Sequence, residues 1–207
     1  MGWKRMKIIG ITGGVGAGKS AVLSYLEKRP GCQVIMADRV AHKLEEPGEV
    51  CYGPLKALLG EDVLDAAGRF DRQKMAAKIF GDGELLQKVN GIVHPAVKAY
   101  LTERIEDARA DGRISYLFIE AALLIEEGYD SILDGLWYIH ADEKVRRRRL
   151  KETRGYTDEK IDAILKKQLP EEVFRKKCHV VIENNGTLAC VYAQIEKELG
   201  EDLWQRQ

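Results

Sequence analysis

An α/β fold, with a parallel sheet covered on both faces by helices, follows from three observations. Short apolar, β-branched runs recur along the chain, stretches with helical spacing alternate with them, and glycine-rich turns stand at the junctions. At 207 residues the chain is long enough for one such domain.

Taken in order, Lys7 to Thr12 reads as the first buried strand, bounded by glycines. Ser20 to Lys28 follows as a helix with Val22, Leu23 and Leu26 on one face. Val34-Ile35-Met36 is a second strand, and from Arg39 to Arg113 the pattern is mostly helical. Breaks are expected in that block at Pro47-Gly48, Gly53-Pro54, Ala67-Gly68, Gly81-Asp82-Gly83 and His94-Pro95. Tyr116 to Ile119, ending in Glu120, Leu136 to Ile139, and Val180 to Ile182 give three more strands. A basic helical stretch from Lys144 to Lys177 separates the last two, and Leu188 to Leu199 closes the chain as an amphipathic helix. The helical block after the second strand is too long for a simple crossover, so a separate lobe is expected there.

Composition narrows the class of function. Hydrophobic residues make up 45% and charged residues 32%, the balance of a soluble globular protein rather than a disordered one. Lys plus Arg and Asp plus Glu number 33 each, so global charge gives no reason to expect nucleic acid or an anionic membrane. Cys32, Cys51, Cys178 and Cys190 lie far apart without a C-x-x-C pair, so reduced, mostly buried thiols are expected rather than disulfides or zinc. The run after Lys7 is too short to span a membrane, and Met6 stands where a myristoylation signal needs Ser or Thr. A cytoplasmic monomer is the expectation.

Gly13-Gly14-Val15-Gly16-Ala17-Gly18-Lys19-Ser20 fits G-x-x-x-x-G-K-[ST] at every fixed position. By composition such a match arises in roughly one chain in a hundred of this length, and its place between a strand and a helix lowers that further. Glycines let successive backbone N–H groups turn toward a phosphate without Cβ clashes, and the helix start adds its dipole. Lys19 is then the cation for the β- and γ-phosphates of ATP, and the Ser20 hydroxyl a ligand for Mg²⁺. A phosphoryl-transfer enzyme is the reading.

The remaining candidates carry two readings each. Asp38, just after the second strand, is either a base at the acceptor hydroxyl or a helix N-cap. Glu120 ends a strand that should lie near the loop, where it could order the Mg²⁺ water shell as part of the substrate site, or serve as a plain loop carboxylate. Arg146 to Arg149, with Arg154 beyond, suit a flap closing over polyphosphate. Residues of a helix point about 100° apart, so at least two of these arginines should be solvated and at least one functional. His94 is a core histidine or a ligand contact, and Asn184-Asn185-Gly186 a turn or a base-facing segment. No N-K-x-D guanine-reading motif is present, and Trp3, Trp137 and Trp204 form no stacking array.

The chain resembles the dephospho-coenzyme A kinase family. The segments that carry the resemblance are Ile11 to Ser20, Ala37-Asp38, Glu46-Pro47-Gly48, Asp71-Arg72, Val93-His94-Pro95, Leu123-Leu124-Ile125-Glu126, Arg154-Gly155-Tyr156, Gln168 and Ile182 to Gly186, in family order over nearly the whole chain. The resemblance implies transfer of the ATP γ-phosphate to the ribose 3′-hydroxyl of dephospho-coenzyme A. It implies a P-loop fold with five parallel strands in the order 2-3-1-4-5, residues 1–38, 114–140 and 178–207 as core, 39–113 as acceptor lobe and 141–177 as lid. It makes Asp38 the base and His94 an acceptor contact, with Gly13 to Ala21 and Asn184 binding nucleotide. Four departures stand out: Met36 replaces the first Asp of a D-A-D pair, Ala21 a threonine, Ala121-Ala122 a segment with proline, and Thr153 an arginine. Arg148, Arg149 and Arg154 remain the candidates for the phosphate-closing residue. Two rivals stay open: a P-loop kinase with another nucleoside or nucleotide acceptor, and a nucleotide-binding regulator without turnover.

Overall fold

The structure, a computed structural model, describes residues 6–121, 124 and 132–204, the last four by backbone alone. Of the segments that carry the resemblance, Leu123, Ile125 and Glu126 lie outside the described residues, as does Ala122 of the departures. The elements run β1 (Lys7–Thr12), α1 (Lys19–Leu26), β2 (Cys32–Met36), α2 (Ala37–Leu44), α3 (Tyr52–Leu59), α4 (Arg72–Ile79), α5 (Gly83–Asp111), β3 (Tyr116–Glu120), β4 (Gly135–His140), α6 (Glu143–Arg154), α7 (Asp158–Lys166), α8 (Glu171–Lys177), β5 (Val180–Glu183) and α9 (Leu188–Trp204). The chain divides into two compact units, one of Met1–Ile35 with Asp111–Gln207, the other of Met36–Ala110.

The first unit holds a five-stranded sheet in the order β2-β3-β1-β4-β5. Three of its pairings, β1 with β3, β1 with β4 and β4 with β5, run parallel in a continuous register. Every residue of β4 is buried, and so is all of β1 after Lys7, as strands covered on both faces must be. That demand explains why these runs are apolar throughout instead of alternating. Phe118 packs edge-on to Trp137 at 5.5 Å between ring centroids, and Ile8, Ile11, Leu117, Ile119 and Ile139 are fully buried around them. On the flank, Tyr25 of α1 stacks on Tyr192 of α9 at 3.9 Å, and its hydroxyl donates to Glu196 at 2.7 Å. Strand order and parallel register bring the carboxyl ends of β1, β3, β4 and β5 to one edge of the sheet.

The second unit is helical, with a single isolated bridge between Leu64 and Phe70 around the Ala67-Gly68 turn. Two expected breaks do not occur: Gly53-Pro54 lies within the first turn of α3, where proline is tolerated, and α5, the longest element, passes straight through His94-Pro95. Proline inside a helix removes a hydrogen bond and costs about 3 kcal/mol. Here Val89, Val93, Val97, Leu101 and Ile105 repeat every four residues along one buried face, and their burial offsets that cost. Asp71 caps α4 by accepting from the amides of Gln73 and Lys74 at 2.9 and 3.1 Å. Glu45, 6% exposed, pairs with Arg72 at 2.7 Å.

The thiols depart from expectation at one position, since Cys190 is exposed while Cys51 is buried and Cys32 and Cys178 are half-buried. Burial pushes Cys32 and Cys178 each up to about 11. The thiolate is the reactive form, so at pH 8 both should resist alkylation while Cys190 is modified first, a difference that peptide mass mapping reads directly. Leu101→Ala should remove about 2–5 kcal/mol of stability by opening the α5 core, measured as a lowered urea midpoint.

Candidate active site

The junction of β1 and α1 sets the geometry. Gly16 and Gly18 adopt φ of 83° and 90°, conformations in which a Cβ would be strained, and Gly18 leads directly into α1. No side chain caps that helix start. Ala17 donates to the Gly14 carbonyl at 3.1 Å, which closes the loop as a compact turn. Among the described residues, the amides of Gly14, Val15, Gly16 and Gly18 donate no hydrogen bond within the protein. Gly14 is itself buried. Partnerless amides gathered at an uncapped helix start make a binding site for an anion.

Neighbouring strands hold that loop from both sides. The register of β1 and β3 sets Ile11 beside Glu120, and the Glu120 carboxylate reaches the Lys19 ammonium at 3.7 Å. Lys19 also donates to the Gly13 carbonyl at 2.8 Å. On the other side, β5 ends at Glu183, and Asn184, 1% exposed, donates from Nδ2 to the Ala17 carbonyl at 2.7 Å. Asn184 is therefore more than a strand-to-helix turn, because its buried carboxamide fixes the phosphate loop. Its backbone amide donates to the His140 carbonyl at 2.7 Å, tying it to β4 as well.

Helix α6 sorts the arginine run by direction. Arg149 donates to the carbonyls of Ala17 and Asn184 at 3.3 and 2.9 Å and to Asn184 Oδ1 at 3.2 Å. Arg146, one turn earlier on the same face, donates from Nε to the Val15 carbonyl at 2.9 Å and from Nη2 to the Gln168 side chain. Arg147 turns toward acids instead, meeting Glu143 at 2.7 Å and Asp162 at 2.5 Å. Arg148 and Arg154 are exposed, the latter lying 5.9 Å from the Tyr156 ring. Of the three arginines singled out from sequence, this arrangement brings Arg149 to the loop and leaves Arg148 and Arg154 toward solvent. Sequence reasoning kept Arg146 in the basic run without singling it out, although its three-residue spacing from Arg149 put both on one helix face.

Burial lowers the pKa of Arg146, opposed by Tyr138 and Glu143, and burial followed by the charge of Arg148 lowers that of Arg149. Among the described residues neither guanidinium has a carboxylate partner. Two desolvated cations held on carbonyls beside partnerless amides favour a bound polyanion. A second cluster braces α8: buried His140 meets Glu183 at 2.5 Å and Glu171 at 3.3 Å, and Tyr138 stacks on Phe174 at 4.8 Å. Burial works against ionisation of Glu183, but bonds from His140 and Arg175 outweigh it and hold its carboxyl below the ordinary range.

Asp38 and His94 belong to the second unit. Asp38 is exposed in the first turn of α2, whose N-cap is Met36 with no side-chain cap bond. The capping alternative for Asp38 is thereby excluded, and among the described residues its carboxylate has no hydrogen bond or ion pair. His94 is half-buried in the middle of α5. Ser20 is exposed in the first turn of α1, with Ala21 after it. No group of three or more His, Cys, Asp or Glu able to hold a metal occurs among the described residues, and no described helix is long and apolar enough to cross a membrane.

Known proteins agree with this geometry. The family model described as dephospho-CoA kinase matches residues 7–189. A dephospho-CoA kinase of Corynebacterium diphtheriae is 34% identical over 97% of this chain and 97% of its own length. One from Shouchella clausii is 34% identical over 93% of this chain and 97% of its own. A crystal structure of a Thermus thermophilus protein superposes with a TM-score of 0.78 at 33% identity, covering 96% of this chain and 98% of that one. A fold, a loop and a match that spans nearly the whole sequence converge, and the chain belongs to the dephospho-CoA kinase family.

Proposed function

We infer that this protein transfers the γ-phosphoryl group of ATP to the ribose 3′-hydroxyl of dephospho-coenzyme A, giving coenzyme A and ADP. The observation that carries the reading is the set of partnerless amides of Gly14, Val15, Gly16 and Gly18, closed on one side by Lys19 and on the other by the guanidiniums of Arg146 and Arg149. That is a cradle for a triphosphate, within a chain whose family acts on this acceptor.

In this reading the residues divide the work between the two reacting partners. Gly13 to Ala21 wrap the polyphosphate, and Lys19 exchanges its contacts with Gly13 and Glu120 for phosphate oxygens as charge moves from the γ-phosphorus toward the leaving oxygen. The Ser20 hydroxyl, exposed at the start of α1, fits an Mg²⁺ ligand, and Glu120 fits a partner for the water around it. The metal would neutralise charge on the β- and γ-oxygens. Asp38 takes the proton of the 3′-hydroxyl, a role its carboxylate is free to fill because it caps nothing. His94 is assigned to the acceptor from its place in the helical unit, residues 39–113, which serves as the acceptor lobe. Arg149, anchored on Ala17 and Asn184, faces the nucleotide, and the residues from 141 to 177 form the lid that closes over it.

Incubation with ATP and dephospho-coenzyme A, read by product mass, should show addition of one phosphoryl group. A nucleoside phosphorylated in preference to dephospho-coenzyme A would move the assignment to another acceptor. Lys19→Ala should weaken ATP binding and cut kcat by about 10²- to 10³-fold, the loss typical of removing one charge-stabilising contact. Asp38→Asn should cut kcat by about 10²- to 10⁴-fold while ATP affinity by calorimetry stays within twofold (about 0.4 kcal/mol), because the lost group acts on the acceptor.

A further inference from the structure

We propose that Arg146 is a positioning residue that locks the tip of the phosphate loop to the link between α7 and α8. Its guanidinium donates from Nε to the Val15 carbonyl at 2.9 Å and from Nη2 to Gln168 Oε1. Val15 sits at the outer bend of the loop, between two residues whose amides lack protein partners. Gln168 lies just past Lys166, the end of α7, and before Glu171, the start of α8. One planar group thus joins loop and link through two bonds at fixed relative directions, a task suited to a guanidinium rather than an ammonium.

Gly14 supplies the second observation. Its φ is not among the positive values of the chain, so backbone conformation does not require glycine there. A Cβ at Gly14 would instead meet the Arg146 Cζ and Nη2 at 2.5 Å and Nη1 at 2.9 Å. The missing side chain makes room for the guanidinium to lie against the loop. Held in this way, the Val15 carbonyl is turned onto Arg146, which keeps the neighbouring amides of Gly14 and Gly16 for an anion. Displacement of Gln168, as the link moves, would pull on the same guanidinium and be felt at the loop. Loop shape and link position are then one coupled variable.

The inference rests on the reading of the loop as the ATP site, so the first measurement is calorimetric titration of the wild-type enzyme with ATP; absence of binding overturns both. With wild-type binding in hand, Arg146→Ala and Arg146→Lys should each weaken ATP about tenfold and raise KM for ATP to match, as expected for one lost charged hydrogen bond. KM for the acceptor should stay within twofold and the melting temperature within a few degrees. Gln168→Ala should reproduce a large part of the effect from the opposite end, and adding it to Arg146→Ala should change little further. Gly14→Ala should weaken ATP in the wild-type background and add little once Arg146 is alanine. Additive losses in either pair, or an Arg146→Lys enzyme with wild-type ATP affinity, would overturn the proposal. Should Arg146→Ala not fold, Gln168→Ala and Gly14→Ala leave Arg146 in place and decide the matter alone.

Discussion

Backbone amides that the protein leaves without partners are the constraint on which the rest of this site depends. A folded chain pairs nearly all its buried N–H groups, and leaving one unpaired costs about 1–3 kcal/mol. The loop after β1 leaves four so within one turn, among them that of buried Gly14. Such a loop relaxes unless something holds it. The holding is done by side chains from elsewhere: Lys19 on the Gly13 carbonyl, Arg146 on Val15, and Asn184 with Arg149 on Ala17. Each engages a carbonyl and leaves the amides for the ligand. The scaffold holds the carbonyls of Gly13, Val15 and Ala17 and leaves the amides of Gly14, Val15, Gly16 and Gly18 to an anion.

Much of this was legible in the sequence because it is local. A glycine pattern ending in Lys19-Ser20 specifies its own turn, and apolar runs with no alternation specify buried parallel strands. Glu120 was expected near the loop as the end of a strand, and the β1–β3 register sets it there. What escaped was non-local or energetic. The break expected at His94-Pro95 is absent because a long apolar face outweighs one lost hydrogen bond, and no dipeptide rule weighs those two quantities. Asp38 as a cap was plausible from Asp-Arg-Val-Ala, yet the chain enters α2 two residues too early for the carboxylate to stand at the capping position. The roles of Arg146 and Gln168 needed a contact across 22 residues that sequence spacing does not encode.

Met36 illustrates how a departure from a family pattern can be accommodated. It is half-buried at the end of β2 and serves as the N-cap residue of α2 with an extended backbone. An aspartate there would carry charge into a partly buried strand end, where methionine adds apolar packing at no electrostatic cost. Of the two positions only Asp38 carries a carboxylate here, in the solvent-facing first turn of the helix.

Charge is where global and local views diverge most. The chain carries 33 basic and 33 acidic residues, and from composition it has no reason to attract a polyanion. Within α6 the cations are divided by direction: Arg147 is neutralised by Glu143 and Asp162, and Lys151 by Asp158. Arg175, in α8, is neutralised by Glu171 and Glu183. Arg146 and Arg149, turned inward, meet carbonyls and amides but no carboxylate among the described residues. Pairing Arg147, Lys151 and Arg175 with acids weakens their field in solvent, whereas the inward pair acts at short range in a medium that screens it poorly. A neutral protein thereby keeps uncancelled charge at one site. Affinity for a triphosphate follows from which charges are left uncancelled, and helical geometry makes that choice.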